Sequence, residues 1–106
     1  MDSLRKSYYT YILYSKKSDL YYVGSTDNYK RRLLEHNADF NHRYTGKHCP
    51  WELKWVLQCG TDRKTAIKVE RFIKKQKSRK FIERIIAGEQ LIGEFKVLVR
   101  VPVDRD

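Results

Sequence analysis

Hydrophobic positions run together in two short stretches near the N-terminus and alternate with polar ones in a third near the middle of the chain. Tyr8 to Tyr14 (YYTYILY) and Leu20 to Gly24 (LYYVG) are rich in aromatic and aliphatic side chains, which suit a pleated surface. The polar Ser15 to Asp19 (SKKSD) between them predicts a hairpin. With Lys16-Lys17 at the tip, Tyr14 opposes Asp19 and Tyr11 opposes Tyr22, so that the two phenols share a face about 5 Å apart. A slip of one residue would send them to opposite faces. Trp51 to Gln58 (WELKWVLQ) sets Trp51, Leu53, Trp55 and Leu57 against Glu52, Lys54 and Gln58, with Val56 the exception. This predicts a half-buried third strand, its tryptophans in the core, which gives the hairpin the support it needs.

Elsewhere the apolar period is that of helices. Gly24 to Asn28 is turn chemistry, and Asp27 or Asn28 can cap a helix running to about Asn37. At roughly 100° per residue, Tyr29 and Leu33 mark its buried side, Arg32 and His36 lie one turn apart on the edge of that arc, and Arg31 points to solvent. Ala38 to Pro50 (ADFNHRYTGKHCP) reads as a polar, basic loop. A second helix is expected from the caps at Gly60-Thr61-Asp62 to about Gln76, with Ala66, Val69 and Ile73 inward. Glu70 falls within that arc, where a carboxylate is costly to bury unless it meets a cation. It can pair with Lys74 one turn on, or serve as a metal ligand or the partner of Arg32; the second alternative is preferred. Ser78 caps a third helix with the stripe Phe81, Ile82, Ile85 and Ile86, ending at Gly88. Leu91 to Val103 alternates Val97, Val99 and Val101 against Lys96 and Arg100, which suits an edge strand or a surface for a protein partner or self-association.

Charge adds a partner to this picture. Lys and Arg number 23 against 13 Asp and Glu, a formal net charge of +10 on 106 residues. Such a balance attracts polyanions, of which nucleic acid is the commonest. The run Lys74, Lys75, Lys77, Arg79 and Lys80, with Arg43 and Lys47 in the loop, is expected to touch a phosphate backbone. The length suits one domain, and 41% hydrophobic residues argue against wholesale disorder. No apolar run is long enough to span a membrane, and Met1 to Lys6 has no signal-peptide core. Two cysteines, Cys49 and Cys59, are too few for a disulfide scaffold, so free thiols and a cytoplasmic location are expected. Zinc held by His36, His42, His48 and Cys49 matches no common finger or ribbon spacing and is set aside.

Several of these residues form an ordered set. Tyr9-Thr10-Tyr11 stands in the first strand and Tyr22-Val23-Gly24 in the second. Arg32 follows ten residues after Tyr22, His36 one turn later, and Glu70 lies inside AIKVERFIKK. With the PWELKWV strand, the set resembles the small stand-alone members of the GIY-YIG nuclease superfamily over about residues 8 to 86. The resemblance implies an α+β fold with a three-stranded antiparallel sheet flanked by helices, over residues 8–87. Residues 1–7 are then a polar lead-in, and 88–106 a C-terminal extension. It implies hydrolysis of a DNA phosphodiester, with RNA left open as a substrate, and one Mg²⁺ or Mn²⁺ ion held by Glu70. Tyr11, Tyr22 and His36 would line the site and Arg32 would steady the phosphate. Tyr9 and Thr10 depart from the Gly and Ile of the motif's name. Ser25 stands where some members carry a lysine, which removes one group that would lower a tyrosine pKa.

The chemistry asks for an activated water, charge stabilisation at phosphorus and help for the leaving oxygen. Arg32 suits the phosphate because its fork makes two parallel bonds. Mg²⁺ tolerates a single carboxylate because it keeps waters and takes phosphate oxygens. A free phenol has a pKa of ~10, so ionising one at neutral pH costs about 4 kcal/mol unless nearby cations supply much of it. Tyr11, Tyr22 and His36 all stand as candidate bases. The alternative is a nucleic-acid-binding module of the same fold. A binder, however, has no use for an acidic group at the centre of an anion site.

Overall fold

The first hairpin is built around a four-residue tip. In the computed structural model, which describes residues 6–38 and 44–103, β1 (Tyr9–Ser15) and β2 (Leu20–Thr26) pair antiparallel with Ser15 opposite Leu20 and Tyr11 opposite Gly24. The pairing is therefore displaced by two residues from the expected Tyr11–Tyr22 opposition. A Lys-Lys tip supplies none of the φ > 0 residues that two-residue turns demand. Instead Asp19 takes φ 55° and Ser18 N–H donates to Ser15 Oγ at 3.1 Å. A shift of two preserves the face, so Tyr11 and Tyr22 remain on one side as diagonal neighbours, ring centroids 6.3 Å apart.

The third strand, β3 (Trp51–Gln58), lies on the other side of β1 and carries a bulge. Ile12 pairs with Trp55 but Leu13 pairs with Leu53, so Lys54 is the extra residue. The bulge overturns the expectation that Trp51, Leu53, Trp55 and Leu57 share a face. Trp51 and Leu53 sit with Tyr11, Leu13 and Val56; Trp55 and Leu57 sit with Ile12 and Val23 on the opposite side. Both faces of the sheet are covered, and Val56 is buried for that reason.

The helices divide between the two faces. α1 (Tyr29–His36) starts at Asn28, whose side chain accepts from Arg31 N–H, and places Tyr29 and Leu33 on the Tyr11 face. Asn37 then pins the helix end to β3, exchanging two hydrogen bonds with the backbone of Trp51. α3 (Arg63–Lys75, capped by Asp62) and α4 (Arg79–Ile86, capped by Ser78) cover the other face. Ala66, Val69 and Ile73 are fully buried there, as their spacing predicts. The expected loop 38–50 contains a short helix, α2 (Tyr44–Lys47).

The C-terminal segment departs from the expected alternating strand. Leu91 and Phe95 enter the α3–α4 core, Gly93–Val97 forms a 3-10 helix, and only β4 (Val99–Arg100) pairs, opposite Leu57 and Gln58. Its Gly93 turn, at φ 69°, and the buried Phe95 outweigh the local alternation. Among the described residues the sheet thus has four strands, not the three expected, in the order β2-β1-β3-β4, and β2 is an edge. The fold is α+β. No helix among the described residues is long and apolar enough to cross a membrane.

Candidate active site

Gly24 is the hub. A Cβ built at this position would lie 2.5 Å from Tyr11 Oη and 2.7 Å from Tyr11 Cζ, so the phenol crosses β2 only because glycine has no side chain. Tyr11 is 1% exposed and meets His36 Nε2 at 2.9 Å. His36, at the C-terminal end of α1, is 2% exposed, and its ring lies 4.8 Å from that of Tyr22. Tyr22 is half-buried and backed by Trp51, centroids 6.0 Å apart. Among the described residues its hydroxyl makes no hydrogen bond. It lines a cleft of about 460 Å³ between α2 and the C-terminal end of α3.

Arg32 enters from the same helix. It is ion-paired to Glu35 and lies close enough to Tyr11 and His36 to shift both. Burial pushes the Tyr11 phenol up to about 12, helped by Tyr22 and opposed by Arg32. Burial, with the Arg32 guanidinium beside it, pushes His36 down from 6.5 to about 4, so the imidazole is neutral at pH 7. In the Nδ1–H tautomer the phenol donates to Nε2. Burial works to lower the Arg32 pKa, but the Glu35 carboxylate and the Tyr11 phenol outweigh it and raise it. Arg31 turns to solvent, as expected, and pairs there with Asp27 and Glu35.

A base whose pKa falls on folding makes a signed contribution to stability. Unfolded His36 takes up a proton as pH drops through 6.5, whereas the folded chain resists it until about 4. The stability it contributes is full above that range and is lost as pH falls through it. Thermal melts between pH 4 and 7 should show this loss, with a flatter slope in His36→Gln.

Glu70, on α3 at the opposite face of the sheet, meets the same strand at Ser25, the residue after Gly24. Its Oε1 accepts from Ser25 Oγ at 2.7 Å and its Oε2 from Lys74 Nζ at 2.6 Å, leaving the side chain 20% exposed. The expected Glu70–Arg32 partnership is absent: Arg32 pairs with Glu35, three residues along its own helix, and Glu70 with Lys74, four residues along its own. Ser25 as a Glu70 partner went unread in the sequence, because it requires the β2–α3 packing; the only local signal was a hydroxyl next to the motif glycine. No cluster of three or more His, Cys, Asp or Glu forms a metal cage among the described residues. Each Glu70 oxygen carries one hydrogen bond and keeps a lone pair. The donor set therefore fits a hard cation held by one carboxylate, waters and phosphate oxygens, with the Lys74 ammonium giving way.

The basic residues separate into two groups. Lys75, Lys77 and Lys80 are exposed and have no ion-pair partner among the described residues, and Lys47 is exposed at the end of α2. Arg79 instead bonds Asp19 at 2.5 Å and Glu83 at 3.1 Å, with its guanidinium over the Tyr21 ring. These bonds raise its pKa and tie the hairpin tip to α4, so much of its charge is already answered. Lys74 is engaged by Glu70. Arg43 lies outside the described residues, as does His42. His48 bonds Ser18 and Cys49 bonds the Gly46 carbonyl, so neither is arranged around His36 for zinc. Both cysteines are free thiols.

The order of elements, the motif tyrosines over a glycine and the helix glutamate define a nuclease-type domain. Residues 7–83 match the model of the GIY-YIG catalytic domain, and the chain belongs to the GIY-YIG nuclease superfamily. It is also similar to a UPF0213 protein of Bacillus licheniformis, 35% identical over 87 residues that cover 82% of this chain and 87% of the relative. The family implies a nucleic-acid substrate.

Proposed function

We propose that the chain is a divalent-metal-dependent DNA endonuclease whose site is the cluster around Gly24. The observation that carries this reading is convergence. Tyr11, Tyr22, Arg32 and His36 meet over one face of a glycine on an edge strand, and Glu70 reaches the next residue from behind. A DNA backbone entering the cleft beside Tyr22 brings its phosphate to Arg32, whose fork takes two non-bridging oxygens. Tyr22, whose hydroxyl makes no hydrogen bond among the described residues, takes the proton of the attacking water in its phenolate form, its own proton having first passed to solvent. Tyr11, kept protonated by burial, holds His36 and so fixes the ring packed against Tyr22. Glu70 would hold Mg²⁺ or Mn²⁺, which when bound supplies positive charge at the leaving oxygen. Lys75, Lys77 and Lys80 carry the flanking backbone.

A second reading, a nucleic-acid-binding module without catalysis, draws on the Lys74 ammonium at Glu70, which neutralises the carboxylate with no metal at all. Incubating the protein with supercoiled and branched DNA separates the two. The nuclease reading expects nicked product with Mg²⁺ or Mn²⁺ and none with EDTA. The binding module expects intact DNA under every condition and salt-sensitive retention.

A further inference from the structure

We infer that the cleft between Tyr22 and Tyr44 is a subsite for an unpaired nucleobase, so that the enzyme prefers DNA with single-stranded character beside the cut. The inference rests on the nuclease reading above for the position of the cut, and on its own observations for the subsite. Tyr44 is an aromatic residue 54% exposed at the start of a four-residue helix. Its ring packs on His48, centroids 4.6 Å apart, and His48 is fixed by Ser18 Oγ at 2.7 Å from Nδ1. His48 packs in turn on Trp51, and Trp51 on Tyr22. A continuous train of rings therefore sets Tyr44 at a fixed position relative to Tyr22.

The space these two tyrosines line is about 460 Å³, within the range of sites that enclose a small organic group. Lys74 and Lys77 line the same cleft, so an aromatic ring and two lysines border one volume. That pairing matches a nucleotide, whose base offers a π-face and whose phosphate offers charge. A stacked base inside duplex DNA presents no free face to Tyr44, whereas an unpaired one does. The commonest role for an exposed aromatic, incidental packing against its neighbour, accounts for the His48 contact but not for the lysines sharing the cleft.

The test is equilibrium binding in EDTA, so that no cleavage intervenes. The probes are one duplex and the same duplex carrying a single-stranded flap with a fluorescent adenine analogue. Base–aromatic stacking leads to an expected loss of about 5- to 150-fold in flap affinity for Tyr44→Ala. Tyr44→Phe should retain wild-type affinity, the bare duplex should be little affected, and the analogue's quenching should vanish in Tyr44→Ala alone. Equal effects of Tyr44→Ala on flap and duplex, or none on either, would overturn the subsite. The nuclease reading fails separately, through absence of metal-dependent cleavage by wild type. A protein that never cleaves but loses flap binding in Tyr44→Ala keeps the subsite.

Discussion

Arg32→Ala should reduce DNA cleavage by about 10²- to 10³-fold, the loss typical when one preorganised donor to a developing charge is removed. Arg32 is the cation that faces Tyr11 and His36 directly, and its side chain is one-third exposed, so it is screened less than the lysines around it. Two further consequences distinguish this from a general loss of positive surface. The Arg32 charge helps to depress His36, so its removal should raise the His36 pKa from about 4, readable by NMR titration of the imidazole. Arg32→Lys keeps a charge but not the fork, and should fall between wild type and alanine in rate. A substitution of Lys80 should weaken binding and leave the His36 titration where it is.

Gly24→Ala is the substitution with the largest expected structural consequence for its size. The added methyl would lie 2.5 Å from the Tyr11 hydroxyl and 2.7 Å from Tyr11 Cζ, closer than side-chain packing allows. Tyr11 is buried among Leu13, Trp51 and Val56 and has no empty side to move into. Either the phenol leaves His36 or the β2 edge shifts outward. Overpacking of this kind costs about 1–3 kcal/mol in stability. Misplacing site groups by an ångström costs about 10²-fold in rate. Combining Gly24→Ala with Tyr11→Phe tests the cause. The two losses in activity should be far from additive, because the first already breaks the bond that the second removes.

The sequence carried the local features best. Asn28, Asp62 and Ser78 are cap residues by type and cap helices in the structure. The inward arc of Ala66, Val69 and Ile73 follows from spacing alone. Features set between elements were less legible. The hairpin register turned on whether Asp19 adopts φ 55°, which costs little for an aspartate and leaves no pattern to read. The bulge at Lys54 put the two tryptophans on opposite faces, since alternation counts residues and not hydrogen bonds. Leu91 and Phe95 belong to the α3–α4 core although their segment alternates like a strand. At the site, the shared face of Tyr11 and Tyr22 was readable because a two-residue shift preserves it. The Ser25–Glu70–Lys74 arrangement was readable only in part: Lys74 by i,i+4 spacing, Ser25 not at all.

The central claim is that Glu70 serves hydrolysis at this site. The measurement that tests it is plasmid nicking and DNA binding by wild type and Glu70→Gln, in Mg²⁺ and in EDTA. Removing a negative charge beside a phosphate site should leave DNA binding equal or tighter while metal-dependent nicking is lost. The two readouts therefore move apart. Nicking by Glu70→Gln at the wild-type rate in Mg²⁺ would contradict the account.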